Sequence, residues 1–358
     1  MPTRKRPTQA DVARLAGVTQ ATVSFVLSDS RAISVPPETR QRILEAVETL
    51  GYRPNALARG LASGSSSLVA VTLPGVSDFY SEVVHGIEDV ARRSGYSVII
   101  STTNDDPHQE LANLEVFSSR QVDGTIICGS RLNVDELNRV AQDHRLALLT
   151  SKAPISAGIV KIPGEAGLHA ITSHLIELGH TAIAHIGWQP AGENEREPGY
   201  RRALLDHHIT PQAKWVEIAP AATLEEGERC LELILARAPQ ITAVTCYSDM
   251  LAVGAILAAR RLGIRVPEDL AVVGFDDIPA ASVVTPSLTT IRVPRYRTGQ
   301  MLMEALLRVI TAQGDYEETQ TVDLKLVVRD SCGARLTGKL AGEEIRDLLA
   351  EGKEQTIS

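Results

Sequence analysis

No stretch of the 358-residue chain approaches the roughly 18 consecutive apolar residues that a membrane-spanning helix needs. The N-terminal Met1-Pro2-Thr3-Arg4-Lys5-Arg6 leads into polar sequence rather than an apolar signal region, so neither a membrane partner nor secretion is expected. Cysteine is scarce. Cys128, Cys230, Cys246 and Cys332 are scattered and form no Cys-x-x-Cys pair, which fits neither a disulfide framework nor a structural zinc site and suits a reducing cytoplasm. Missing too are the Gly-x-Gly-x-x-Gly, phosphate-loop and Gly-x-Ser-x-Gly patterns, and no nucleophile stands near a base. The chain is expected to be no enzyme and to hold no cofactor. His169 with His174, and His180 with His185, recur five residues apart, a poor spacing for one helix face, and His207-His208 point opposite ways; surface or structural roles are expected, with no metal site.

What is present is a hydrophobic content of 44%, enough for two or three packed units at this length. The formal net charge of −8 conceals an asymmetry. Residues 1–62 hold nine Lys/Arg against five Asp/Glu, a net of +4, which leaves −12 on the remainder. A small basic head on a large acidic body points to a polyanion partner for the head alone.

The head reads as short helices. Thr8-Gln9-Ala10-Asp11 has the form of a capping box opening a helix with Val12, Ala13 and Ala16 on one side, and Gly17 stops it. Thr19 caps a second helix, Gln20 to Leu27, whose buried stripe is Val23, Val26 and Leu27. Two short helices joined by a tight Gly-containing turn are the helix-turn-helix pattern. A third helix from Pro37 to Leu50 tolerates prolines in its first turn, carries Ile43, Ala46, Val47 and Leu50 as its stripe and ends at Gly51. Asn55 then caps a segment, Ala56 to Ala62, that is helical in composition but too short, and too weakened by Gly60, to persist alone. Ser63-Gly64-Ser65-Ser66-Ser67 follows as a linker.

From Leu68 the texture becomes β-α-β alternation. Strands are expected at Leu68 to Leu73, Ser97 to Ser101, Thr125 to Cys128 and Leu146 to Thr150, with helices at Glu82 to Ser94, Gln109 to Arg120 and Val134 to His144. The pattern repeats after Gly164, with helices Gly167 to Leu178, Gly199 to His207, Leu224 to Arg237 and Met250 to Leu262. The strands between them are Thr181 to Ile186, Trp215 to Ile218, Ala243 to Thr245 and Leu270 to Val273. The expected fold is a small all-α helix-turn-helix head plus an α/β body of two lobes, each a parallel sheet flanked by helices, with ligand in the cleft at the carboxyl ends of the strands.

Thr8-Gln9-Ala10-Asp11-Val12-Ala13-Arg14-Leu15-Ala16-Gly17-Val18-Thr19-Gln20-Ala21-Thr22-Val23-Ser24, Glu38-Thr39-Arg40 and Leu50-Gly51-Tyr52-Arg53-Pro54-Asn55-Ala56-Leu57-Ala58-Arg59-Gly60-Leu61 closely resemble the head of the lactose-repressor (LacI) family of bacterial transcription regulators. Val122-Asp123-Gly124, Leu178-Gly179-His180, Gly199-Tyr200, Val266-Pro267-Glu268-Asp269-Leu270 and Val273-Gly274-Phe275-Asp276-Asp277 resemble landmarks of its body, so the similarity covers roughly residues 8–332. The resemblance implies lobes like those of periplasmic sugar-binding proteins, with three chain crossings near Pro163, Arg292 and Thr321. It divides the chain into a DNA-binding head at 1–54, a hinge helix and linker at 55–67, an effector-binding and dimerisation body at 68–332, and a tail at 333–358. Lobe 1 takes about 68–162 with 292–321, and lobe 2 about 163–291 with 322–332.

Function follows from these residues and from the resemblance. The second helix enters a major groove N-terminus first, bringing Thr19, Gln20, Ala21, Thr22, Ser24 and Phe25 nearest bases and phosphates; Gln20 suits a bidentate pair with adenine, and the Thr19 and Ser24 hydroxyls suit phosphates. Phe25 departs from the resemblance, which often has Arg or His there. A phenyl ring cannot pair with guanine, and it either touches a thymine methyl or packs as core. Leu61 resembles a wedge that family members insert into the minor groove, with Asn55, Arg59 and Ala62 beside it; the plainer alternative is an interdomain tether. In the cleft the resemblance implies that Arg196 forks onto ligand hydroxyls or a carboxylate and that Asp276 accepts from hydroxyls. Ser248, Asp249, Phe79 and Tyr80 complete a polar floor with aromatic walls, suited to a sugar or sugar acid. Pro163-Gly164 stands where many members have a ligand-contacting Asp-Asn or Asp-Tyr pair. The tail has Leu336, Leu340, Ile345, Leu348 and Leu349 among charges but fewer than three clean heptads, interrupted by Gly338 and Gly342, so a homodimer is expected rather than a tetramer. The expected function is a cytoplasmic repressor that binds a palindromic operator as a dimer and answers to a small effector. The alternative is a cytosolic small-solute binding protein without a DNA role.

Overall fold

The computed structural model describes residues 7–27, 35–52, 65–150, 155–188, 196–312 and 316–334. The chain divides into two compact units, Met1–Ser67 and Leu68–Ser358. The expected hinge segment at Ala56 to Ala62 and the tail after residue 334 lie outside the described residues.

In the first unit, α1 (Gln9–Ala16), α2 (Gln20–Leu27) and α3 (Pro37–Leu50) follow the sequence pattern closely. Thr8 Oγ1 accepts from the Asp11 amide at 3.3 Å while the Asp11 carboxylate accepts from the Thr8 amide at 2.9 Å, so two otherwise orphaned donors are satisfied reciprocally. Gly17, at φ +64°, closes the helix in a left-handed conformation that any side chain would strain. Thr19 Oγ1 accepts from the Thr22 amide at 3.2 Å and caps α2. Val12, Ala13, Ala16, Val23, Val26, Ile43 and Ala46 form the core, with Leu27, Val47 and Leu50 packed half-buried around it.

The second unit holds two six-stranded sheets. The first is built from β1 (Leu68–Leu73), β2 (Ser97–Thr102), β3 (Gly124–Cys128), β4 (Leu146–Leu149), β5 (Gly158–Lys161) and β11 (Glu318–Thr321), in the order β11-β5-β4-β3-β1-β2 and parallel throughout. The second takes β6 (Ile183–Trp188), β7 (Val216–Ala219), β8 (Ala243–Cys246), β9 (Ala271–Asp276), β10 (Thr289–Arg292) and β12 (Lys325–Val327), in the order β12-β10-β9-β8-β6-β7. In this sheet only β12 runs antiparallel. The helices are α4 (Asp78–Arg93), α5 (Pro107–Ser119), α6 (Val134–Asp143), α7 (Gly164–Glu177), α8 (Glu197–Asp206), α9 (Leu224–Arg237), α10 (Asp249–Arg261), α11 (Pro279–Val283) and α12 (Arg295–Thr311). Central strands such as β3, β4 and β9 are buried at every residue, because helices cover both faces of a parallel sheet and nothing remains for polar alternation.

The chain passes between sheets after β5, after β10 and after β11, which agrees with crossings near Pro163, Arg292 and Thr321. Four strands and two helices have no counterpart in the sequence reading: β5, β10, β11, β12, α11 and α12. The strands Gly158–Lys161, Thr289–Arg292, Glu318–Thr321 and Lys325–Val327 span three or four residues each, too short for a period to register. The stretch read as a strand from Trp215 begins instead with a tight turn, Ala213–Trp215, that buries the indole before β7 starts.

Candidate nucleic-acid interface and ligand cleft

On the head, α2 carries no charged residue and turns Gln20, Ala21 and Ser24 outward next to Thr19, while Thr22 and Phe25 are half-buried. The Thr19 and Thr22 hydroxyls lie 2.9 Å apart, and the Gln20 amide donates to Gln9 Oε1 over a long 3.4 Å. Gln20 thus sits where the amino ends of α1 and α2 meet, its side chain offering both a donor and an acceptor. Phe25 is half-buried, which fits either of its two readings. Asn55, Arg59, Leu61 and Ala62 lie outside the described residues.

In the body the carboxyl ends of the strands enclose a cavity of about 610 Å³, bordered by Phe79, Tyr80, Arg196, Ser248 and Asp276 among the expected residues. Arg196, just before α8 and only 8% exposed, is its central feature. Its guanidinium donates to the Tyr247 carbonyl and to Asp276 Oδ1, the latter at 3.2 Å, and lies 3.7 Å from the Phe275 ring centroid and 4.2 Å from that of Tyr247. Stacked on two rings, the guanidinium is held in one plane, which presets its fork for a ligand. At Pro163-Gly164 a Cβ on the glycine would stand 3.0 Å from Arg196 Cγ, so this position, which borders the cavity, also seats the arginine stem.

Asp276 ends β9 with φ +111°, a conformation unusual for any residue but glycine, and is almost wholly buried. Burial pushes its carboxyl up to about 6, against the opposing pull of Arg196 and Arg295. If the ionised carboxylate is what accepts ligand hydroxyls, effector affinity should fall below pH 6 by up to about tenfold per pH unit, because protonation removes the charged acceptor. Calorimetric titrations between pH 5 and 8 check this, and Asp276→Asn should flatten the profile. The next residue, Asp277, is also in a left-handed conformation; burial alone would raise its carboxyl, but hydrogen bonds from Arg292 and Arg329, both at 2.6 Å, hold it below the ordinary value. Arg295, on the crossing into α12, donates to the Asp78 carbonyl and to the Asp277 carbonyl, each at 3.1 Å, and so ties the two lobes at their hinge.

Asp249 requires a correction. Its side chain is fully buried behind the floor and does not border the cavity. Oδ1 accepts from the Thr290 hydroxyl at 2.6 Å and Oδ2 from the Ile278 amide at 2.9 Å, so it anchors the turn that carries Asp276. Ser248 does border the cavity while capping α10 through a long 3.5 Å bond from the Leu251 amide. Phe79 and Tyr80 meet edge to face, their centroids 5.1 Å apart.

Among the cavity-wall residues that the sequence reading misses are Trp188 and Tyr247, just where β6 and β8 end, and Arg131 and Asp105 of the first lobe. Trp188 and Tyr247 pack edge to face at 5.3 Å. Arg131 is ion-paired with Asp105 and lies 5.5 Å from the Trp188 ring centroid. Their shared signal is position, at or soon after a strand end. The histidines are structural where buried: His185 is stacked on Tyr200 at 5.2 Å, with its imidazole pushed down to about 3 by burial. Among the described residues, no cluster of three or more His, Cys, Asp or Glu side chains is arranged to hold a metal, and no helix is long and apolar enough to cross a membrane.

A helix-turn-helix head beside a two-lobed α/β body with a buried guanidinium in its cleft defines a class, that of ligand-responsive DNA-binding regulators. Residues 8–55 match the model of bacterial regulatory proteins of the lacI family, and residues 172–332 match that of the periplasmic binding protein-like domain. The chain is 30% identical to the HTH-type transcriptional repressor PurR of Haemophilus influenzae (strain PittEE) over 329 residues, covering 90% of this chain and 97% of that one. It is 32% identical to the catabolite control protein A of Priestia megaterium over 323 residues, covering 88% and 94%. Among solved structures, the lac repressor dimer bound to operator and the anti-inducer ONPF superposes with a TM-score of 0.82 at 27% identity, covering 92% of this chain and 99% of that one. The protein belongs to the lacI family of bacterial transcriptional regulators.

Proposed function

We propose that the protein is a cytoplasmic repressor that binds a palindromic operator as a homodimer and answers to a sugar or sugar acid held in the cleft. The observation that carries this reading is the pairing, in one chain, of an outward-facing α2 bearing Thr19, Gln20, Ala21 and Ser24 with a cavity where Arg196 and Asp276 stand side by side. A guanidinium next to a carboxylate offers a fork of donors beside an acceptor, and a vicinal diol is both at once. Phe79, Tyr80, Trp188 and Tyr247 supply the apolar wall against which a ring can lie. On the DNA, Gln20 reads a base edge and Phe25 touches a thymine methyl; the hinge at residues 55–67 joins the head at 1–54 to the body at 68–332 and places Asn55, Arg59, Leu61 and Ala62 at the minor groove. The lac repressor dimer bound to operator supports the dimeric reading by likeness.

Selection of duplexes from a random pool by the full-length protein tests the DNA half. Two inverted half-sites should be recovered, because one reading helix per subunit and a two-fold axis impose that symmetry. Affinity for the recovered site should drop steeply with salt as counterions return to the phosphates. An asymmetric site, or no enrichment, would count against the dimeric repressor.

A further inference from the structure

The first lobe contributes its own charged pair to the cavity. The Arg131 side chain is only 8% exposed and its guanidinium meets the Asp105 carboxylate, itself 43% exposed. The loop that carries it is fixed from beneath: Glu110, 1% exposed, accepts from the Ser130 hydroxyl at 2.5 Å and from the Arg131 amide at 2.9 Å. Across the cleft this guanidinium lies over Trp188 of the second lobe, 5.5 Å from its centroid. A side chain held by Asp105 and Trp188 on a backbone fixed by Glu110 is preorganised, so little entropy is lost when it binds.

We infer that Arg131 and Asp105 form a second ligand-reading ion pair, facing the Arg196–Asp276 pair, and that the two pairs select a neutral polyhydroxylated ring over its carboxylate counterpart; the inference rests on the sugar reading of the cleft. The charge balance carries it. The charged side chains among the described residues bordering the cavity are Arg131 and Arg196 against Asp78, Asp105 and Asp276, two cations to three carboxylates. Each arginine already faces an aspartate. A hydroxyl donates to the carboxylate and accepts from the guanidinium of one pair, leaving the pair intact. A carboxylate only accepts, so it must compete with Asp105 or Asp276 for the same N–H groups while meeting their repulsion in a shielded site.

Calorimetry on the full-length protein with matched ligands tests this, using D-glucose against D-glucuronate and D-galactose against D-galacturonate. The wild type should bind the neutral member of a pair about tenfold or more tightly than its uronate. Asp105→Asn leaves Arg131 unopposed and should move that ratio by about tenfold or more toward the uronate, whereas Arg131→Gln should weaken the neutral sugar. Unliganded melting curves of each variant separate a folding defect from a change in selectivity. A wild type that prefers the uronate, or an unchanged ratio in Asp105→Asn, overturns this inference and leaves the sugar reading standing. Binding by no member of either pair overturns both.

Discussion

Arg196→Ala is expected to weaken effector binding by roughly thirty-fold to several thousand-fold while leaving the affinity of the unliganded protein for DNA unchanged. The guanidinium is buried, stacked between Phe275 and Tyr247, and bonded to Asp276 and the Tyr247 carbonyl. Truncating it deletes the ligand's forked donor and leaves the Asp276 carboxylate without its cation in a buried site. Losing a buried, charged hydrogen-bond donor to the bound partner costs about 2–5 kcal/mol, roughly thirty-fold to several thousand-fold in affinity. Arg196→Lys should recover little of it, since an ammonium restores the charge but neither the planar fork nor the stacking. The head forms a separate compact unit, so its reading face should not register the change. Calorimetry of effector binding and a gel shift without effector measure the two halves, and unchanged effector affinity would remove Arg196 from the site. Because a ligand shifts an equilibrium only by its differential affinity for the two states, the variant should also stay locked in its unliganded DNA affinity when effector is added.

Arg196 and Asp276 show what a sequence yields readily. Both stand in motifs that resemble family landmarks, and both occupy the cavity wall. Asp249 shows where that reasoning stops. It is adjacent to Ser248 at the same strand end, yet at the first turn of a helix successive side chains leave in directions roughly 100° apart, so one faces the ligand space while its neighbour turns to Thr290 and Ile278. Residue type and strand-end position do not distinguish them. Arg131, Asp105 and Trp188 were harder still, because they come from two loops and the end of β6, and only the approach of two separately folded sheets brings them together. The head was the most legible part because its signals are local: the Thr8–Asp11 box, Gly17 and the stripe of each helix, Val12 with Ala16, Val23 with Val26 and Ile43 with Ala46, each follow from neighbours in sequence. Pro163-Gly164 reads as a missing ligand contact in the sequence, and the room it leaves for the Arg196 stem is visible only in three dimensions.

The second large effect is expected at Leu61, where the argument is about chain physics rather than a visible contact. Ala56-Leu57-Ala58-Arg59-Gly60-Leu61-Ala62 spans barely two helical turns and contains a glycine, so nucleation alone prevents it from holding a helix in water. In the dimer it is expected to order only when two copies meet over a minor groove, each placing Leu61 between base pairs and bending the duplex. Unstacking a step costs a few kcal/mol, and the burial of two leucine side chains is part of what offsets it. Leu61→Ala halves neither the helix propensity nor the charge of the segment, but it removes most of the wedge. The loss should be about 3 kcal/mol for the two side chains together, roughly a hundredfold in operator affinity, with a smaller bend. Effector affinity of the unliganded protein should be unchanged, because the cleft lies in the other compact unit. If the segment is only a tether, alanine serves as well as leucine and neither affinity nor bend changes. Operator affinity and bend angle measured for both proteins at one salt concentration decide between the two, since the wedge requires both quantities to fall together and the tether requires both to stay.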